Sequence, residues 1–153
     1  MKNILIAVDD TKGTRNAFGF CSTTCACMSP ENIVLLYVER FEGRSLMTEM
    51  LPDSELGTLK GLLEGSEYKA ALDKKADDIL GFYKKALADK GLTRVKALKK
   101  MGNPAEEILS TAKQEGADMI IVGARGKRTG HLFMGSVSRE VANNASVPVL
   151  VVK

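Results

Sequence analysis

The feature that most constrains this chain of 153 residues is a regular exchange between short aliphatic runs and longer amphipathic stretches. Ile4–Val8 is the first run, closed by the carboxylates of Asp9 and Asp10. Ile33–Val38 is the second, opening out at Glu39-Arg40, and Asp118–Val122 is the fourth, ending at Gly123. Val147–Val152 is the fifth. Apolar runs without polar alternation are the signature of strands covered on both faces, as in a parallel sheet between helical layers. The third candidate, Thr93–Met101, differs in carrying Lys96, Lys99 and Lys100. Lysines suit an exposed edge, where they discourage pairing with other chains.

The stretches between the runs carry helical periodicity. From about Gly13 to Met28, residues Ala17, Phe18, Cys21, Cys25 and Met28 fall on one face, and Pro30 stops the helix. Tyr68, Leu72, Ile79, Tyr83 and Leu87 mark a long amphipathic helix with Gly91 as its C-cap. Asn103-Pro104 followed by Glu106 and Glu107 is a helix start: a cap, a proline at the first position, then acids in the first turn. Ala105, Ile108, Leu109 and Ala112 form its buried stripe, and Met134, Val137, Val141 and Ala145 that of the last helix. Residues 41–65 read as an irregular insertion or lid. The alternation predicts one α/β domain over residues 1–153: a doubly wound, open parallel sheet of five strands, order 3-2-1-4-5, with helices on both faces. The fifth strand has no charge before Lys153. As a bare edge it would aggregate, so it is expected to pair with its own copy in a homodimer through residues 147–152, burial by other parts of the chain being the alternative.

Composition narrows the function. Lys+Arg number 22 and Asp+Glu 19, a net charge of +3, too small for a dedicated nucleic-acid surface. His131 is the single histidine, so a His-based zinc site or a Ser-His-Asp triad would rest on it alone. Cys21, Cys25 and Cys27 lack a second cluster to complete a metal site and read as small buried side chains. The odd count fits a reducing cytoplasm, and no apolar stretch serves as a signal core or spans a bilayer.

In such a sheet, ligands bind beyond the carboxyl ends of the strands where their order reverses, here between strands one and four. The first strand ends at Asp9-Asp10-Thr11. The fourth runs into Gly123-Ala124-Arg125-Gly126-Lys127-Arg128-Thr129-Gly130-His131 and then Gly135-Ser136 at the start of the last helix. Glycines permit close backbone approach, a helix start offers free N–H groups to an anion, and Arg125, Lys127 and Arg128 add charge-assisted contacts. The combination reads as a phosphate cradle, with a basic surface loop ending in a glycine cap as the alternative. GxxxxGK[ST] is absent, since Lys127 is followed by Arg128, and the first turn lacks GxGxxG. A receiver domain would need an acid at the end of the third strand, and Arg94–Met101 contains none.

Gly123-Ala-Arg-Gly126, a spacer, Gly135-Ser136-Val137-Ser138 and the closing Val147–Val152 strand resemble the universal stress proteins. Ile4–Asp9 and the Gly102-Asn103-Pro104 turn resemble that family too. The resemblance implies a five-stranded α/β fold, usually dimeric through its last strand. For the ATP-binding branch it implies that Asp9 binds the ribose side, that Ala7 and Val8 line the nucleoside pocket, and that Val38 contacts adenine. Val122, Gly123, Arg125 and Gly126 would hold ribose and phosphates, and Gly135, Ser136, Val137 and Ser138 the phosphates. Two departures stand out. The spacer Lys127–Met134 is one residue shorter than the family pattern, which bears on ATP against ADP or AMP. Asp10-Thr11 replaces the usual small Gly-Ser, and the extra carboxylate either helps hold Mg²⁺ carried with the nucleotide or serves as a turn or cap acid.

The expected function is therefore a cytoplasmic adenine-nucleotide-binding protein (ATP, ADP or AMP) in stress response or regulation, acting as a homodimer. No general base is placed by the sequence, so any ATP hydrolysis is expected to be slow. A protein-interaction module of the same fold that binds no nucleotide is the alternative, and the intact Gly123, Gly126, Gly135-Ser136 set favours nucleotide. The sequence names no protein partner and no particular stress.

Overall fold

Along the first strand, side chains alternate between two helical layers, and both sides are apolar. This computed structural model describes residues 2–40, 67–124 and 134–153. Its elements run β1 (Asn3–Val8), α1 (Lys12–Met28), β2 (Asn32–Glu39), α2 (Glu67–Ala88), β3 (Val95–Met101), α3 (Pro104–Gln114), β4 (Met119–Gly123), α4 (Ser136–Asn144) and β5 (Val149–Val152). All strand pairs are parallel, in the expected order β3-β2-β1-β4-β5. The central register sets Val8 beside Tyr37 and Ile6 beside Ile121.

Each face of the sheet has its own core. Ile4, Ile6 and Val8 of β1, with Leu35, Tyr37 and Ile121, pack against Phe18 and Cys25 of α1 and Ile79, Tyr83 and Leu87 of α2. Leu5 and Ala7 of β1, with Leu36, Val38 and Val122, face Ile108 and Ala112 of α3 and Val141 of α4. Cys25 lies wholly buried in the first of these layers, as a small apolar side chain would, while Cys27 is exposed. Among the described residues, β3 is an edge, and two of its three lysines pair with acids. Lys99 Nζ lies 2.9 Å from Asp73 Oδ1, and Lys96 Nζ 2.8 Å from Glu115 Oε2.

Local chemistry sets the element ends. Ser29 closes α1 at φ 46°, its N–H donating to the Cys25 carbonyl at 3.0 Å, before Pro30. After α2, Leu92 N–H donates to Leu87 O at 3.0 Å and Gly91 N–H to Ala88 O at 2.9 Å. With Gly91 at φ +79° this is a Schellman ending, which favours glycine there. Asn103 caps α3 by accepting from Ala105 N–H at 3.0 Å.

Several boundaries depart from the sequence reading, and three of them have a local cause or bear on the site. β3 starts at Val95, whose N–H turns back to the Thr93 carbonyl at 3.0 Å. β5 starts at Val149, after Pro148, which has no N–H to give and contributes its carbonyl to Ile120 N–H at 3.0 Å. Met134 precedes α4 rather than forming part of it, and Ala145 is its C-cap. The proposed insertion or lid at 41–65 lies outside the described residues.

One core position is under-satisfied. Thr111 on α3 is fully buried, and its Oγ1 has no hydrogen-bond partner among the described residues. Valine keeps the shape and removes a stranded hydroxyl, whose burial costs about 1–3 kcal/mol. Thr111→Val should therefore raise the urea midpoint, by about 1 kcal/mol of stability, with an unchanged m-value; a lower midpoint would contradict this.

Candidate functional site

The strand order reverses at β1, which has β2 on one side and β4 on the other. Beyond β1 the chain enters α1, in one layer; the helix next after β4 is α4, in the opposite layer. The carboxyl ends of β1 and β4 thus frame a crevice between diverging connections, the favoured ligand position in this architecture.

On the β1 side, three residues build a closed turn. Asp9 Oδ1 accepts from Thr11 N–H at 2.9 Å and from the Thr11 hydroxyl at 2.6 Å. Thr11 Oγ1 in turn accepts from Thr14 N–H at 3.2 Å, capping α1. A short hydroxyl side chain at an N-cap does both jobs because it donates and accepts. Asp9 Oδ2 meets no donor among the described residues, leaving that oxygen available to a ligand hydroxyl. The Asp9 carbonyl accepts the phenol proton of Tyr83 at 2.9 Å. Burial, and then the nearby Asp9 charge, push the Tyr83 phenol up to about 12, so it stays protonated as the donor. Tyr37 is held above the ordinary phenol range by burial first and by Glu39 beside it.

Asp10, the next residue of the turn, forms an ion pair with α2. Its Oδ2 lies 3.0 Å from Lys75 Nζ on α2. No group of three or more His, Cys, Asp or Glu among the described residues is arranged to hold a metal ion.

On the β4 side, the chain returns to meet its own strand end. Ala124 N–H donates to Val152 O at 2.7 Å, and Gly135 N–H donates to Ala124 O at 2.7 Å. Ser138 is buried, and its hydroxyl is directed at Ala124 O (3.1 Å) and Gly135 O (3.0 Å). Its proton therefore clasps the start of α4 to the end of β4. Ser136 is exposed in the first turn, and Val137 packs on the second layer. Gly135 caps α4 with no side-chain hydrogen bond, and the first turn holds no acid. By contrast, α3 has an asparagine cap and two first-turn glutamates. An uncapped helix start presents free N–H groups at the positive end of the helix dipole, a setting for an anion.

Between these two sides, Ala7, Val38 and Val122 all belong to the α3/α4 layer. They therefore share one face at the strand ends. Val8 belongs to the other layer and is buried there, so its side chain points away from that face. Gly123 is half-buried at the end of β4. Arg125 and Gly126 lie outside the described residues, as does His131. Sequence reasoning missed Tyr83 and Arg139. Arg139, one turn after Gly135, reaches back so that its guanidinium donates to Met134 O at 3.3 Å. Its spacing from the glycine was the available signal; Tyr83 offered none beyond its place in an apolar stripe.

The universal stress protein family model matches residues 1–153, the whole chain. The chain belongs to the universal stress protein family. Universal stress protein MJ0577 of Methanocaldococcus jannaschii is 33% identical to it over 130 residues, covering 82% of this chain and 79% of that one. A solved structure of MJ0577 superposes with a TM-score of 0.77 at 29% identity, covering 99% of this chain and 95% of the other. The universal stress protein from Archaeoglobus fulgidus in complex with dAMP shares the fold, with a TM-score of 0.64 at 17% identity and coverage of 100% and 98%. Among the described residues of this universal stress protein, no helix is long and apolar enough to cross a membrane.

Proposed function

We propose that this universal stress protein binds an adenine nucleotide, ATP, ADP or AMP, in the crevice between β1 and β4, and acts in the cytoplasm as a homodimeric stress-response or regulatory protein. One observation carries the reading: the start of α4, with neither side-chain cap nor first-turn acid, is clasped to the end of β4 at the topological switch point. The phosphates would meet the N–H groups of Ser136, Val137 and Ser138, with Arg125 and Gly126 completing the cradle. Ser138 would contribute its backbone, because its hydroxyl is committed to carbonyls. Asp9 would take a ribose hydroxyl on Oδ2. Ala7, Val38 and Val122 would supply the apolar face for the base, and Val8 and Gly123 the backbone beside it. The dAMP complex of the Archaeoglobus relative agrees with this ligand class.

Asp10 is tied to Lys75, so any Mg²⁺ would travel on the nucleotide phosphates. Turnover, where it occurs, is expected to be slow, resting on positioning and electrostatics. Dimerisation would join the β5 edges of two copies.

Thermal unfolding with AMP, ADP and ATP tests the reading. A nucleotide at a hundred times its Kd stabilises by about 2.7 kcal/mol, which for a chain of this size raises Tm by roughly 5–10 °C. Gly135→Val should abolish that shift. Absence of a shift with every adenine nucleotide would overturn the reading and leave the protein-interaction module.

A further inference from the structure

Tyr83 sits in the apolar stripe of α2 and is almost wholly buried, its ring 4.5 Å from that of Phe18 and 5.2 Å from that of Phe82. Packing alone would be served by phenylalanine. Among the described residues the hydroxyl makes one hydrogen bond, 2.9 Å to the carbonyl of Asp9, 74 residues away in sequence. That carbonyl lies one residue beyond the ladder, whose last registered pair is Val8 with Tyr37. The sheet therefore leaves it unpartnered, and α2 supplies the donor. The same helix holds the next residue through the Lys75–Asp10 pair, at 3.0 Å. The first tether holds the Asp9 backbone directly and the second holds the side chain of the adjoining residue, while Asp9 Oδ1 is closed on Thr11.

We propose that Tyr83 is a positioning residue for the nucleotide site: by holding the Asp9 carbonyl it fixes the direction of Asp9 Oδ2 and so sets recognition of the ribose hydroxyls. This rests on the nucleotide reading above. Tyr83 touches no ligand itself, and it acts on the sugar rather than on base or phosphate. Lys75 is the second anchor of the same turn.

Calorimetric affinities for AMP and for 2′,3′-dideoxy-AMP, which lacks the ribose hydroxyls, separate this role from a structural one. Tyr83→Phe keeps the ring and should weaken AMP about tenfold while changing dideoxy-AMP less than twofold. Lys75→Met, at a partly exposed position, should give a smaller loss with the same selectivity, and serves if Tyr83→Phe fails to fold. Equal weakening of both nucleotides, or no change in either, overturns the proposal. A wild-type protein that binds neither nucleotide refutes the nucleotide reading itself, and the proposal with it.

Discussion

Ser136→Asp should give a protein that is more stable without nucleotide and much weaker in binding it. Ser136 is exposed in the first turn of α4, where no acid and no side-chain cap offsets the positive end of the helix dipole. A carboxylate there should add about 0.3–1 kcal/mol to the free protein. The same carboxylate would sit against a bound phosphate. Two like charges 4 Å apart repel by about 4 kcal/mol at an effective dielectric of about 20, and solvent screening at an exposed position lowers this. The expected net effect is a tenfold to hundredfold rise in the AMP dissociation constant alongside a higher Tm of the free protein. Ser136→Asn, a neutral residue of similar size, should leave affinity within about threefold. An Asp variant that binds AMP as the wild type does would place the phosphates elsewhere.

Val151→Glu should turn a dimer into a monomer. β5 is the last strand in the sheet order, and Val149, Leu150 and Val151 are only partly buried within one copy. The strand carries no charge, and its outer N–H and C=O groups have no ladder partner in the described sheet. Edges of this kind recruit a second strand, and closed two-fold pairing of identical edges is the usual soluble outcome. Light scattering should read a dimer for the wild type and a monomer for Val151→Glu, with Val149→Lys behaving alike and circular dichroism unchanged. A dimer that persists in both variants would remove edge pairing as the mode of association.

The fold was legible because the chemistry of the strands is one-sided in the right way. β1, β2 and β4 are buried on both faces and so read as unbroken aliphatic runs. β3 announced its edge position through Lys96 and Lys99, which the structure finds paired with Glu115 and Asp73. The strand starts were less legible, because a backbone N–H can be diverted locally, as at Val95, or be absent, as at Pro148. At the site, Ser138 stands three residues before the buried Val141, a spacing that already turns it inward. Its hydroxyl is accordingly taken up by carbonyls. Lys75 and Tyr83 were illegible as site residues, since their partners Asp10 and Asp9 are distant in sequence and meet them only after α2 docks.

The two cores share no residue, and they exchange places at every step along β1. Ala7, Val38, Val122 and Val137 are all drawn from the α3/α4 side. The molecule is thus split into a ligand-facing compartment and a backing compartment that can vary on their own terms. Changes in α1 and α2 that conserve volume can accumulate without altering the shape offered to a base. Among the described residues, α2 reaches the Asp9 turn through a phenol proton and an ammonium group, and α1 reaches it through its Thr11 cap. Divergence among related chains that spares these contacts should leave sugar recognition intact even where the rest of that layer has been rewritten.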